Sequence, residues 1–173
     1  MYGTIFEAID MRSFSSIWFW IMLATVWSMV SHHVLGVPYH MIAAARRQGG
    51  QAEQDLEDMV RINVLRRLRM VDQAGIWLLG LGCFMLTGLL ILGWVYWIEL
   101  AQALFLLGLP LGFVALLSLL TAKRIRAEGP QGEALFRHLH RHRVWVQSVA
   151  MAAIFVTTLW GMYRTLSVGV LGS

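Results

Sequence analysis

The sequence predicts an all-α polytopic membrane protein, with four transmembrane helices and amphipathic cytoplasmic helical extensions. Apolar residues form 58% of the 173-residue chain and charged residues only 14%, against about 25% charged in soluble domains. Twelve of the fourteen lysines and arginines lie in two connecting segments, 36–72 and 123–143. Because basic residues are enriched in cytoplasmic loops, this asymmetry predicts that both segments are cytoplasmic and that both termini lie on the opposite side.

Residues 1–173 are predicted to form a single membrane domain, a four-helix bundle. Each apolar stretch has about 20 residues, enough to cross a hydrocarbon core of about 30 Å. The predicted spans are 14–35, 75–95, 100–122 and 144–163. Ahead of them, residues 2–11 predict a short amphipathic helix in the outer interface, and Ser13 is the predicted N-cap of the first span.

The two cytoplasmic segments are predicted to be mostly helical. In the first, the pair Gly49-Gly50 separates a short helix over 39–47 from an amphipathic helix over 51–70. No strong helix breaker separates the 51–70 helix from the second span, so the two could form one helix. In the second segment, a turn at Glu128-Gly129-Pro130 precedes a helix over 133–143 that continues into the fourth span.

The amphipathic 51–70 helix is the predicted contact surface for a partner. Its apolar residues recur at helical spacing, and its charges run from acidic at the start to basic at the end, which suits the helix dipole. The candidate partner-binding residues are Glu53, Asp55, Glu57, Asp58, Arg61 and Arg66. The predicted partners are a larger membrane complex or a second copy of the chain, together with anionic lipid headgroups. Nucleic acid is not predicted, because the basic residues flank apolar spans.

All six histidines lie on the predicted cytoplasmic side. His138 and His142 are four residues apart and share a helical face, so they could chelate a metal, with His32 and His33 as alternatives. Histidines at a membrane interface also contact lipid phosphates or extend toward the headgroups, and this favours a structural role. Haem is disfavoured because no histidine lies near the middle of a span. We therefore predict no cofactor.

Small and polar residues in the spans predict close helix packing. Thr25, Ser28 and His32 share one face of the first span, and Gly108 and Gly112 form a GxxxG match in the third. In hydrocarbon, such residues allow backbones to approach or form hydrogen bonds between helices. The polar stripe could instead line a ligand groove, and the glycines could contact another subunit.

Several absences bear on function. No acidic or basic residue lies at the centre of a span, where proton pumps, ion-coupled carriers and voltage sensors place such groups. The chain contains no P-loop, GxSxG, HExxH or dinucleotide fingerprint. The single cysteine, Cys83, is predicted to be an inert thiol packed within an apolar segment. These observations predict a protein that is not an enzyme.

Several strings in this chain resemble a family of small inner-membrane proteins from photosynthetic and related alphaproteobacteria. The strings are IDMRSFSSIWFW (9–20), SHHVLGVPY (31–39), RRQGGQAEQDLEDMVRINVLR (46–66), RHRVWVQ (141–147) and IFVTTLWGMY (154–163). The resemblance covers nearly the whole chain and implies a location in the bacterial inner membrane. In that membrane, the charge distribution of the loops predicts that both termini are periplasmic. Some members of the family carry a label linking them to iron–sulfur cluster assembly by the SUF machinery. One cysteine does not support that label, because a cluster scaffold needs several thiolates.

These observations leave three functional hypotheses. The leading one is a non-enzymatic accessory or scaffold subunit that presents its charged cytoplasmic helices to a larger membrane complex or to anionic lipid. The second is a homo-oligomeric channel or small transporter, for which the GxxxG match and the polar stripe are the evidence. The third is a metal- or cofactor-binding redox subunit that uses the cytoplasmic histidines.

Overall fold

The computed structural model describes Phe14 and residues 16–171, with side chains up to residue 167. The helix predicted over 2–11 and the Ser13 cap lie outside the described residues. Apart from short connections and one two-stranded hairpin, the described chain is helical. Its elements are α1 (Ile17–His32), β1 (His33–Val34), β2 (Val37–Pro38), α2 (Tyr39–Gln48), α3 (Gln51–Trp94), α4 (Glu99–Glu128) and α5 (Gly132–Leu171).

Three helices in the described part of the chain, α3, α4 and α5, are long and apolar enough to cross a membrane. Each of them contains one of the predicted spans. The first predicted span corresponds to α1, which has 16 residues, whereas a 30 Å hydrocarbon core needs about 20. Length and composition therefore identify three candidate spans, and a membrane-crossing role for α1 stays a prediction.

A tight hairpin ends α1 at His32, three residues before the predicted end of the first span. The strands β1 and β2 pair antiparallel. The two residues between them have positive φ angles, 54° at Leu35 and 83° at Gly36, the combination that a two-residue type I′ turn requires. Leucine rarely adopts this conformation. Burial of Leu35 together with Val34 and Val37 offsets the backbone strain.

The chain between the hairpin and the second predicted span forms two helices, as the sequence predicts. They are separated by Gly49 and Gly50, whose φ angles are 62° and 54°. The second of them, α3, continues without a break through the amphipathic segment and the apolar segment, over 44 residues. At 1.5 Å per residue its length is about 66 Å. A single helix therefore connects the charged segment to a candidate span.

The charged ends of the helices pack into a unit that we call the head (residues 33–70 and 122–143). Along α3, the side chains of Leu56, Val60, Val64 and Leu68 form a stripe in which none is more than 4% exposed. This stripe joins buried residues from the hairpin, α2, α4 and α5. The other members of the head core are Val34, Leu35, Val37, Ile42, Ala45, Ala122, Ile125, Leu135, Phe136 and Leu139. The two predicted cytoplasmic helices therefore share one core.

A second cluster, between the head and the opposite end of the bundle, holds α1 against α4 and α5. The buried face of α1 consists of Phe19, Leu23 and Trp27, which are each four residues apart. Leu23 and Trp27 pack with the buried residues Leu107, Val114, Val146, Ala150 and Ala153. Although α1 is the shortest of the four apolar helices, it is thus part of the bundle.

The apolar half of α3 is the least covered part of the bundle. None of its most apolar 18-residue window is buried, and Ile76 and Trp77 are more than four-fifths exposed. Cys83 is also exposed on this helix, so the prediction that it packs inside the chain is wrong. The reason is that α3 meets α4 along one side and leaves the rest of its circumference open.

A buried amide, Gln102, connects the three long helices at the end of the bundle opposite the head. Its Nε2 donates to the backbone oxygen of Gly93 at 2.7 Å, and its Oε1 accepts from Trp160 Nε1 at 3.1 Å. Both polar ends of the amide are therefore satisfied, as a buried polar group requires. Gly93 permits the contact, because a Cβ there would lie 3.0 Å from Gln102 Cγ and 3.1 Å from its backbone nitrogen.

Gly93→Ala should destabilise the protein, because the new methyl group forces α3 away from the backbone of α4. We expect the free energy of unfolding to fall by about 1–3 kcal/mol, as in other overpacked sites. Thermal unfolding in detergent measures the effect. The control is Gly88→Ala, where a Cβ meets nothing within 4 Å and alanine favours the helix by up to about 1 kcal/mol. Equal unfolding temperatures for the two variants would contradict the prediction.

Candidate functional site

The head contains most of the residues with a predicted functional role, and it is the candidate functional site. Four of the six predicted partner-binding residues, Asp55, Asp58, Arg61 and Arg66, are exposed on α3. They lie away from the apolar stripe of the same helix, which is buried in the head core. The amphipathic pattern therefore separates an inner packing face from an outer charged face, as helical periodicity dictates.

The other two predicted partner-binding residues, Glu53 and Glu57, are half-buried beside the start of α5. Glu57 Oε1 accepts a hydrogen bond from the backbone N–H of Gly132 at 2.8 Å, and Glu53 Oε1 lies close to the Cα of the same glycine. The first N–H groups of a helix have no partner within the helix, and a carboxylate there also suits the helix dipole. Glu57 thus caps α5 from another helix, and it stabilises the head.

Two of these four exposed charges line a groove of about 430 Å³ between α3 and the α4–α5 turn. Asp58 and Arg61 stand on its rim and form an ion pair of 2.8 Å, with both side chains more than 60% exposed. Such an exposed pair contributes little to stability. Leu65, which is 45% exposed, provides apolar surface in the groove. A charged rim around an apolar wall is the composition that protein interfaces favour.

His142 is the buried polar residue at the boundary between the head and the spans. Its side chain faces two hydroxyl groups of α4, with Nδ1 3.1 Å from Thr121 Oγ1 and Nε2 3.4 Å from Ser118 Oγ. Thr121 Oγ1 donates its own proton to the backbone oxygen of Leu117 at 2.8 Å. Nδ1 must therefore donate to Thr121, which leaves Nε2 to accept from Ser118. Both ring nitrogens are engaged within the protein.

The surroundings of His142 hold its imidazole in the neutral form. Burial, followed by the positive charge of Arg67, lowers the pKa of His142 from 6.5 to about 4. Burial also lowers the pKa of the half-buried Arg67 guanidinium from its usual range. A neutral imidazole can donate through one nitrogen and accept through the other, which is what the two hydroxyl groups require.

His138, one helical turn before His142, connects an acid to an arginine. Its Nε2 lies 3.0 Å from Glu128 Oε2, and its Nδ1 lies 3.4 Å from Arg141 Nη2. A ring with its proton on Nε2 donates to Glu128 and accepts from Arg141, so one tautomer satisfies both contacts. His138 therefore helps to position the Arg141 guanidinium.

Three of the four predicted metal ligands are engaged in other contacts. Both ring nitrogens of His138 and of His142 have protein partners, as described above. His33 Nδ1 lies 3.2 Å from the backbone oxygen of Met29, and His32 is exposed. Within the described ranges, no group of three or more His, Cys, Asp or Glu side chains is arranged to hold a metal ion. Metal binding by these histidines stays a prediction that the geometry does not favour.

The residues predicted to pack between helices lie mostly on the outside of this single chain. Thr25 and Ser28 are exposed on α1, and Thr25 Oγ1 donates to the backbone of its own helix, to Ile21 O at 2.8 Å. A Cβ on Gly108 would lie 3.5 Å from Leu86 of α3, an ordinary contact, whereas one on Gly112 would meet nothing within 4 Å. Gly108 therefore faces α3, and the packing roles of the other residues stay predictions.

The sequence analysis missed several residues of the site. Ser118 and Thr121 are three residues apart in an apolar helix, a spacing that places both on one face and that could have been noticed. Tyr39 and Arg143 were also missed: the guanidinium carbon of Arg143 lies 3.5 Å from the centre of the Tyr39 ring, a cation–π contact. The chain separation of this pair is too large for any local pattern to show it.

The fold and the site define an all-helical protein with three helices that could span a membrane and a packed, charged head built from helical extensions. The length and hydropathy of the three helices suggest a membrane location. No protein-family model matches the chain, and no curated protein or solved structure matches it.

His142 should make the stability of the protein depend on pH below neutrality. Above pH 6.5 the ring is neutral in both states and contributes no dependence. Between pH 6.5 and about 4 the unfolded chain binds a proton that the folded protein does not bind, so the free energy of unfolding falls as the pH falls. The loss reaches up to about 3 kcal/mol near pH 4, below which both states are protonated.

Unfolding midpoints measured across this pH range test the assignment. His142→Gln should reduce the pH dependence, whereas the control His140→Gln, at an exposed position of the same helix, should retain it. If the two variants had the same dependence on pH, the neutral buried state of His142 would be wrong.

Proposed function

We propose that this protein is a non-enzymatic integral membrane subunit whose head docks onto the cytoplasmic part of a larger membrane complex. One observation carries the proposal. In the head, α3 turns its apolar stripe inward and leaves Asp55, Asp58, Arg61 and Arg66 on the surface. Two of these, Asp58 and Arg61, line the groove of about 430 Å³. The exposed surface of the head is therefore packed before any partner binds, and it has charges of both signs around an apolar wall.

Preorganisation makes such a surface suitable for binding. A helix that must order on binding loses conformational entropy at that moment, and this loss lowers the affinity. The head core and the Glu57 contact with Gly132 hold α3 and α5 together before any partner arrives. Exposed charges then select a partner whose surface has the complementary pattern, and they accelerate its association.

The contacts of α1 support a fourth, short span. Near its start, the backbone N–H of Phe14 donates to Glu99 Oε1 at 2.7 Å, at the first residue of α4. Beyond its end, Val34 and Leu35 join the head core together with Ala122, near the end of the third predicted span. In our proposal α1 therefore crosses the same layer as α4. Four crossings put both termini on the same side of the membrane.

The charge distribution supports a cytoplasmic head. Twelve of the fourteen lysines and arginines lie within it, and such enrichment favours the cytoplasmic side. Periplasmic termini follow from this orientation and from four spans. The resemblance to alphaproteobacterial inner-membrane proteins supports the inner membrane as the location.

Neutralising the exposed face of the head should release the partner complex. We expect the triple variant Asp55→Asn, Asp58→Asn and Arg61→Gln to reduce the copurifying partner about tenfold or more, the effect of losing about 1.4 kcal/mol of binding free energy. Thermal stability should change little, because these side chains are exposed. The measurement is quantitative mass spectrometry of protein extracted gently from its native membrane. Glu57 is left unchanged because it caps α5.

The control for this experiment removes two acids and one base elsewhere on the protein, with Asp72→Asn, Glu133→Gln and Lys123→Gln. These side chains are exposed and do not line the groove, so the partner should be retained. If the first triple variant retained every copurifying protein, or if the wild-type protein copurified with none, the docking proposal would lose its support.

A homo-oligomeric channel or small transporter is the alternative function, and one observation favours it. Thr25, Ser28 and His32 are exposed on α1, where in a closed symmetric ring they could face a shared pathway. Under the docking proposal, we expect proteoliposomes of the purified protein to show the same ion flux as protein-free liposomes.

The variant Ser28→Leu separates the two functions, with Ser148→Leu, at an exposed position of α5, as the control. The channel function would be supported by a symmetric oligomer that conducts ions, if Ser28→Leu blocks the ion flux and Ser148→Leu preserves it. The proposal of an accessory subunit would then be wrong. A particle with the mass of one chain in nanodiscs, with no flux, would exclude the channel.

A further inference from the structure

The cleft between α4 and α5 contains two cavities that the proposed docking function does not use. The first, of about 240 Å³, lies where the head meets the spans. The second, of about 320 Å³, lies farther along the same two helices, towards the opposite end of the bundle. Their chemistry differs: the first combines basic and apolar residues, and the second is lined by apolar residues throughout.

The first cavity has an unneutralised positive charge on its head side. Arg124 of α4 and Arg141 of α5 both line it, together with His138. Among the residues with described side chains, neither arginine forms an ion pair with a carboxylate. The nearby acid, Glu128, is engaged by His138 at 3.0 Å. Two guanidinium groups facing one cavity without an acid are suited to an anion, and their planar donors match the oxygens of a phosphate group.

The other side of the first cavity is apolar and faces outward. Leu117, Leu120 and Trp145 line it, and Trp145 is 57% exposed. Tryptophan is enriched at membrane interfaces, where its ring lies at the level of the headgroups. The cavity thus joins a basic wall to an apolar wall at the boundary between the head and the spans. A free phosphate ion makes no favourable contact with an apolar wall.

The second cavity lies about one helical turn from the first along the same two helices. On α5 the residues that line the cleft run from Trp145 through Val149 and Ala152 to Val156. These eleven residue steps span about 16 Å at 1.5 Å per residue, close to half of a hydrocarbon core of about 30 Å. The small side chains of Ala152 and Ala153 leave room opposite the aromatic rings of α4. The recess is therefore one leaflet deep and apolar over that depth.

We infer that the α4–α5 cleft binds an anionic phospholipid, with the phosphate at Arg124 and Arg141 and an acyl chain in the apolar recess. Charge complementarity fixes the headgroup end, and the depth of the recess fits a chain that lies along the protein within one leaflet. The groove beside α3 is less suited to an anion, because its two acids, Glu57 and Asp58, offset the positive charges of Arg61 and Arg126. The inference shares the membrane location with the proposed function and does not depend on a protein partner.

Native mass spectrometry of the purified full-length protein in detergent tests the site, with phosphatidylglycerol as the anionic probe and phosphatidylcholine as the zwitterionic one. We expect the wild-type protein to retain phosphatidylglycerol in preference to phosphatidylcholine. The double variant Arg124→Gln with Arg141→Gln should weaken phosphatidylglycerol binding about tenfold or more, because each charge-assisted contact is lost.

The matched control is Lys123→Gln with Arg137→Gln, which removes two positive charges from the same two helices at exposed positions outside the cavity. Its affinity should stay within about twofold of the wild-type affinity, since neither of these side chains lines the cavity. An equal loss in both double variants would mean unspecific attraction and would overturn the inference.

Two further arms separate a lipid from a free anion. Ala152→Leu fills the recess without changing any charge, and it should weaken phosphatidylglycerol binding; unchanged binding would overturn the placement of the acyl chain. Inorganic phosphate at millimolar concentration should not displace the lipid. If it did, or if phosphate alone raised the unfolding temperature as much as phosphatidylglycerol, the cavity would be a phosphate site and the lipid inference would be wrong.

Because no protein partner is present in these measurements, their outcome is independent of the docking experiment.

Discussion

The packing of the apolar stripe of α3, from Leu56 to Leu68, is the contact on which the rest of the structure depends. Each of its four buried side chains contributes about 1.5–3 kcal/mol on transfer from water. The exposed ion pair between Asp58 and Arg61 contributes at most about 1 kcal/mol. The head is therefore held by apolar contacts, and its charges are left for the surface. This packing also fixes the register that lets Glu57 reach the start of α5.

Two buried polar residues fix the long helices at separate levels. Gln102 connects α3, α4 and α5 at the end away from the head, and His142 connects α5 to two hydroxyl groups of α4 near the head. An unpaired polar group in an apolar environment costs several kcal/mol, so each of these side chains disfavours any sliding that would break its contacts. The apolar cavity of the α4–α5 cleft lies between these two levels.

Local sequence patterns predicted the elements of the fold much better than their contacts. Gly49-Gly50 and Gly129 ended helices where the sequence predicted, because positive φ is a local property of glycine. The hairpin was missed, since a buried leucine with positive φ has no sequence signal. The pairing of Glu57 with Gly132 joins residues 75 positions apart. Periodicity correctly placed His138 and His142 on one side of a helix, but it could not reveal that each of the two rings meets a side chain of α4.

The continuity of α3 gives the protein a mechanical property. A long apolar helix adapts to bilayer thickness by changing its tilt. No residue interrupts the hydrogen-bond ladder of α3 between its charged half and its apolar half. A change of tilt in the apolar half therefore also tilts the charged half, which is about 30 Å long. The displacement is largest at the far end of the charged half. In the proposed membrane arrangement, the position of the head relative to the bilayer is therefore coupled to the thickness of the surrounding lipid.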